Sequence, residues 1–218
     1  MQLKARHRVI AIDGPAASGK SSVARELARR LGFVYVNSGA MYRAVTWSVL
    51  QHGVDPTDKD KIAKFITSLK FGGELKNGEF RLRIDDVDLT PHLHEDRVNK
   101  DVSRVSTVPE VRRILVERMR GYAREHDLVV EGRDIGSVVF PDTSCKFYID
   151  ASPEVRAQRR AAQGQRDEIA RRDQADSSRP ASPLVVAKDA EVIDTSNMTV
   201  EEVVSDIIKR LSTTNLTS

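Results

Sequence analysis

The sequence predicts an α/β domain built around a parallel sheet. Three observations carry this. Short apolar runs alternate with helical patterns along the chain. The runs are rich in Val and Ile and continuous rather than alternating, as in strands buried on both faces. The first run ends in a glycine-rich turn that opens a helix, "IDGPAASGKSS", Ile12–Ser22.

Five strands follow in order: "RVIAI" (8–12), "FVYV" (33–36), "LVVE" (128–131), "KFYI" (146–149) and "EVID" (191–194). The first helix starts near Lys20, where Val23, Leu27 and Leu31 recur every four residues. A helix after Arg43 carries Trp47, whose indole is expected in the core. Thr107 and Glu110 have capping-box spacing, and Val111, Ile114, Leu115, Met119 and Tyr122 form one face behind them. Ser152 before Pro153 starts another helix. Thr199 and Glu202 cap the last one, which packs through Val203, Val204, Ile207 and Ile208. The alternation breaks once, over residues 69–90. There Asn77-Gly78 marks a hairpin, and "EFRLRI" alternates with period two. A small inserted antiparallel sheet is expected, either a lobe over a ligand site or a surface hairpin.

A chain of 218 residues can bury about 70% of its unfolded surface and needs no staples. Cys145, the single cysteine, excludes an internal disulfide and reads as a buried, inert thiol. Neither a signal peptide nor a membrane-length apolar run stands out, so a cytoplasmic setting is expected. His92 and His94 lack metal-ligand spacing, and no zinc is expected. The net charge of +3 is only mildly basic. Its placement says more. Phe147–Ala187 holds seven arginines (156, 159, 160, 166, 171, 172 and 179) and no lysine. A guanidinium fork can grip two phosphate oxygens; a solvated helical face is the plainer account of any one of them.

Gly14–Ser21 fits GxxxxGK[ST] between a strand and a helix, the setting in which that loop binds phosphates. Backbone N–H groups and the helix dipole point at the anion. Lys20 can reach the β- and γ-phosphates, and Ser21 can ligate Mg²⁺. A nucleoside triphosphate site follows, with the acceptor still open. "NKDV", Asn99–Val102, misses a guanine motif, and "LVVEGRD" offers Glu131 without the paired acids of a motor ATPase. "NSGAMYRA" (37–44), "EGRDIGSVVFPD" (131–142) and "RRDQADSSR" (171–179) each set Arg beside polar groups near a strand end, where such sheets bind ligands.

These pieces, in this order and with "EVIDTS" before the final helix, resemble the bacterial cytidylate kinases over Val9 to about Leu211. The resemblance implies a P-loop kinase fold in one domain, 1–218. Residues of about 38–107, including the inserted sheet, would bind the monophosphate, and a short lid would span about 156–170. It implies phosphoryl transfer from ATP to CMP or dCMP with Mg²⁺, by a monomer whose partners are these nucleotides rather than nucleic acid or membrane. ATP would be held by Gly14, Pro15, Ala16, Ala17, Ser18, Gly19, Lys20, Ser21 and Ser22. Arg43, Arg133 and Arg179 would hold the acceptor phosphate, with Lys20, Arg133 and Arg179 the catalytic charges. Ser103, Arg112 and Asp134 would read cytosine. Arg172 and Asp176 would contact the sugar, and Ser38 and Tyr42 would line the pocket.

The base assignment makes chemical sense. A carboxylate such as Asp134 accepts from the cytosine N4 amine, and a guanidinium such as Arg112 donates to N3 and O2. Uracil mismatches both contacts. For Asp134 itself, a salt bridge to Arg133 is the alternative. Arg156, Arg159 and Arg160 are candidates for the ATP phosphates or for pairing with Glu154. The lid, "AAQGQRDEIA" after Arg160, is shorter than in many relatives. Asn37 stands where they often have Asp, leaving Asp13 and Glu131 as candidate outer-shell partners of Mg²⁺. An RNA-binding ATPase is a second class these features allow, but the chain lacks an aromatic-rich basic platform. Another small-molecule P-loop kinase is a third, disfavoured by the detailed motifs.

Overall fold

In chain order the elements are β1 (Val9–Asp13), α1 (Lys20–Leu31), β2 (Val34–Asn37), α2 (Ser38–Gln51), α3 (Lys59–Ser68), β3 (Phe71–Lys76), β4 (Glu79–Ile84), β5 (Val87–Asp88), α4 (Asp96–Val105), α5 (Pro109–Tyr122), β6 (Leu128–Gly132), a π-helical turn (Ile135–Val139), β7 (Cys145–Asp150), α6 (Pro153–Ala162), β8 (Glu191–Asp194) and α7 (Val200–Thr213). The computed structural model describes residues 7–162 and 184–213. They form two units: 7–35 with 123–162 and 184–213, and 36–122.

In the first unit β1 runs parallel between β6 and β7, with Val9 opposite Leu128, Asp13 opposite Gly132 and Ile10 opposite Cys145. β8 extends the sheet from β7, Phe147 facing Glu191. β2, which starts in this unit, lies beside β6, giving the order β2-β6-β1-β7-β8. All five strands read from apolar runs are present. The chain leaves β1 toward β2 on one side and later leaves β6 for β7 on the other. The carboxyl ends of β1 and β6 therefore bracket the switch point, where such sheets bind ligands. The core behind them joins Ile10, Ile12, Phe147 and Ile149 of the strands to Val23 and Leu27 of α1 and Val203, Val204 and Ile207 of α7. Cys145 is buried here, and burial pushes its thiol pKa up, away from the reactive thiolate.

The predicted caps divide. Thr199 and Glu202 form the full box, Thr199 N–H donating to Glu202 Oε2 at 2.8 Å and Glu202 N–H to Thr199 Oγ1 at 3.3 Å. Ser152 Oγ accepts from Val155 N–H at 3.3 Å. At Thr107 the expectation fails. Its hydroxyl turns back to the Arg104 carbonyl at 2.8 Å and closes α4, while the α5 ladder begins at Val108.

In the second unit β3, β4 and β5 form the antiparallel insertion. Asn77 and Gly78, at φ 53° and 75°, make the two-residue left-handed turn that the sequence announced. Asp85 and Asp86, at 51° and 64°, make a second one. α2 packs against α4 and β4. Trp47 is half-buried rather than in the core: its ring stacks on His92 with centroids 4.8 Å apart, and its N–H reaches Glu95 Oε1 at 3.2 Å. Among the described residues no helix is long and apolar enough to cross a membrane. The expected lid, about 156–170, is described only through Ala162 and is helical there.

Candidate active site

The loop between β1 and α1 has left-handed or otherwise glycine-type backbone at Gly14 (φ 154°), Ala17 (59°) and Gly19 (92°). A Cβ at Gly14 would stand 2.1 Å from the Ile149 carbonyl oxygen, so no side chain fits there. Gly19 is the N-cap of α1, and no side chain caps that helix. Its first-turn N–H groups and dipole are thus directed into the loop rather than to a capping residue. Ser18 Oγ is buried with no hydrogen-bond partner. Lys20, buried at the helix start, donates from Nζ to the Pro15 carbonyl at 2.9 Å. Its ammonium is therefore already curled over the loop.

The end of β6 supplies the facing groups. Glu131, 3% exposed, accepts at Oε1 from Ser21 Oγ at 2.7 Å and from the Tyr35 hydroxyl at 3.1 Å. Arg133 donates from Nη1 to the Gly14 carbonyl at 2.9 Å. Asp134 is buried and precedes the π-helical turn, its carbonyl accepting from Val138 and Val139 N–H. Asp13 is also buried, each oxygen accepting one backbone N–H at 2.8 Å, from Ile135 and from Gly136. Burial pushes its pKa up to about 6, against the pull of those two N–H groups and of the Lys20 ammonium, with Asp134 adding a further push.

Two arginines of α6 grip the loop from its other side. Arg156 Nη1 donates to the Ala16 carbonyl at 3.3 Å. Arg159 donates to the Ser18 carbonyl at 3.1 Å and, through Nη2, to the Thr195 carbonyl at 2.8 Å. Thr195 Oγ1, 2% exposed as a residue, lies 2.9 Å from the same Ser18 oxygen.

In the second unit Ser38 opens α2 and is buried, with Tyr42 one turn on. A Cβ on Gly39 would stand 2.9 Å from Arg43 Nη1 and 3.2 Å from Asn37 Oδ1. The missing side chain is what lets the Arg43 guanidinium fold back to the helix start. Arg112 of α5 sets its guanidinium carbon 5.7 Å from the Tyr42 ring centroid, a cation–π contact that fixes both. Ser103 lies on α4, half-buried.

A strand-to-helix phosphate loop with a curled lysine, an arginine held against that loop and a buried carboxylate beside it together suit a nucleotide-phosphate transfer. The family model for cytidylate kinase matches residues 10–213. The chain belongs to the cytidylate kinase family. It is 45% identical to the cytidylate kinase of Pelotomaculum thermopropionicum, covering 93% of this chain and 95% of that protein. To those of Corynebacterium efficiens and Mycobacterium leprae it is 44% and 42% identical, covering 92% and 94% of this chain and 93% and 96% of theirs. Among solved structures, an uncharacterized protein from Eubacterium ventriosum shares the fold with a TM-score of 0.52 at 14% identity, over 94% of this chain and 99% of that one. A Thermus thermophilus protein does so at 0.50 and 19%, over 96% and 98%.

Of the residues that the family motifs single out, Gly14–Ser22, Arg133 and Asp134 fall in the first unit, and Ser38, Tyr42, Arg43, Ser103 and Arg112 in the second. Arg172, Asp176 and Arg179 lie outside the described residues, as do Arg166 and Arg171. The three residues weighed for the surroundings of Mg²⁺ have these partners. Each Asp13 oxygen accepts one backbone N–H, and Asn37 Oδ1 caps α2 through Ala40 N–H at 2.8 Å. Glu131 accepts from the Ser21 hydroxyl. Tyr35 and Thr195 were not singled out by the sequence; an aromatic inside an apolar strand and a Thr after one carry no local signal of a polar role.

Proposed function

We propose that this member of the cytidylate kinase family transfers the γ-phosphoryl group of ATP to CMP or dCMP with the charges arranged as follows. Gly14–Ser22 cradles the donor phosphates. Lys20 exchanges its Pro15 carbonyl for the β- and γ-phosphate oxygens, where negative charge gathers during transfer. Arg43, Arg133 and Arg179 hold the acceptor phosphate. Ser103, Arg112 and Asp134 read cytosine, Arg172 and Asp176 hold the sugar, and Ser38 and Tyr42 wall the pocket. The monophosphate region is residues 38–107 of a single kinase domain, with a lid at about 156–170.

The observation that carries this reading is the 2.9 Å bond from Arg133 to the Gly14 carbonyl. It fixes an acceptor-side arginine to the first residue of the donor loop. Two anions must approach for transfer to occur, and their repulsion is the main obstacle. A cation held at the loop mouth offsets it. The acceptor phosphate is already ionised, so neither a protein nucleophile nor a general base has a task.

Ser21 and Glu131 fit Mg²⁺: a hydroxyl and a carboxylate oxygen 2.7 Å apart are hard donors of the kind this ion takes alongside water and phosphate. Ser21 would hold the ion directly and Glu131 from the outer shell; the ion neutralises phosphate charge. The enzyme works in the cytoplasm as a monomer, on free nucleotides. Coupled ADP release across CMP, dCMP, UMP, AMP and GMP tests the whole reading. Fastest turnover with CMP or dCMP is expected; preference for a purine monophosphate overturns it.

A further inference from the structure

The ladder between β1 and β6 has Asp13↔Gly132 as its last pair. Past that pair the Asp13 side chain takes over from the backbone. Its two oxygens accept the Ile135 and Gly136 N–H groups, each at 2.8 Å, and the residue is 5% exposed. A second stitch exchanges side chain and backbone, the Arg133 guanidinium donating to the Gly14 carbonyl. Arg133 and Asp134 thus sit between two anchors that both end on residues 13 and 14.

We propose that Asp13 is a positioning residue for the acceptor: by holding the backbone of Ile135 and Gly136 it sets where Arg133 and Asp134 stand against the donor loop. This rests on the reading that those two residues bind CMP. The chemistry asks for a carboxylate. Two convergent N–H donors need two acceptor oxygens, and an amide offers one oxygen and turns its own N–H groups on the second donor. Burial works against that charge and pushes the carboxyl pKa up, while the two N–H groups pull it down. The far side of the turn is braced as well. A Cβ on Gly136 would stand 3.1 Å from Lys146 Cδ and 3.5 Å from Asp13 Oδ2. Lys146 is itself pinned, by the Pro141 carbonyl at 2.6 Å and the Asp189 carboxylate at 2.7 Å.

The test is steady-state kinetics of Asp13→Asn with CMP, UMP and ATP, beside thermal denaturation. Misplacing a recognition group by a fraction of an ångström costs about tenfold or more, so KM for CMP should rise by about that factor and the CMP-over-UMP preference should narrow. KM for ATP should change less than about threefold, and the variant should still unfold in one cooperative transition. Gly136→Ala presses on the same turn from the other side and should repeat the CMP effect; it decides the matter if Asp13→Asn does not fold. Unchanged KM for CMP in the folded variants, or equal rises for ATP and CMP, overturns the proposal. Asp134→Asn separates it from the base-site reading. If Asp134→Asn narrows the preference and neither other variant does, Asp13 does not position the turn. If Asp134→Asn leaves the preference unchanged, the base assignment itself fails, and KM for CMP, acting through Arg133, decides the role of Asp13.

Discussion

Two strand-to-helix junctions of this chain solve the same problem in opposite ways. Between β2 and α2 no residue intervenes, and Asn37 caps the helix with its own amide oxygen, 2.8 Å from Ala40 N–H. Between β1 and α1 six residues intervene, and Gly19 leaves α1 without a side-chain cap. A glycine at the N-cap forgoes roughly a few tenths of a kcal/mol relative to a capping side chain. The chain accepts that small cost at the junction where the proposed function puts a phosphate, and avoids it at the other. At the first junction charged side chains hold backbone: Lys20 on Pro15, Arg133 on Gly14, Arg156 on Ala16, Arg159 on Ser18. At the second, the cation next to the helix start folds over a glycine.

The contrast can be broken first at Lys20. Lys20→Ala removes the lysine cation of the uncapped junction and should lower kcat by about two orders of magnitude or more in the coupled assay; near-normal turnover refutes its role. Next in size is a pH effect at Asp13. Burial raises this carboxyl from 3.8 to about 6, so the fold holds its proton more tightly than the unfolded chain does. The stability it contributes is fully present below the unfolded value and is lost as pH rises through about 6. Between pH 4.5 and 7.5, urea denaturation should show wild type losing on the order of 2 kcal/mol relative to Asp13→Asn. A constant gap between the two proteins would show that burial does not govern this group.

Smaller effects sharpen the comparison. Glu131→Gln leaves Ser21 a weaker partner at the uncapped junction and should raise the Mg²⁺ concentration for half-maximal rate about tenfold. Mn²⁺ binding to the enzyme–ATP complex, followed by electron paramagnetic resonance, should weaken in step; unchanged affinity removes Glu131 from the metal's surroundings. Asn37→Ala at the capped junction should cost about 1 kcal/mol of stability, and a smaller loss by denaturation would mean that α2 does not depend on its cap.

Much of the architecture was legible because its signals are local. Strands buried on both faces read as apolar runs, the loop has fixed glycine spacing, and Asn77-Gly78 can form its turn without help from the rest of the chain. α3 and α4 were harder to see. α3 buries only Ile62 and Ile66, so its apolar stripe is thin. α4 buries Val98, Val102 and Val105 but also Asp101, a mixed pattern for a short segment. The second tight turn at Asp85-Asp86 lacked the usual glycine. At Thr107 two helix ends competed for one hydroxyl, and proximity to the Arg104 carbonyl won.

Spacing along the chain was enough for the fold class, the phosphate-loop pattern and the family, because each is a local signal. Tertiary structure alone decided which partner each charge takes. Ser21 meets Glu131 across 110 residues, and Asp13 meets Ile135 across 122. No local pattern encodes such pairs; they arise because parallel pairing sets the ends of β1 and β6 side by side, where buried polar groups must satisfy one another.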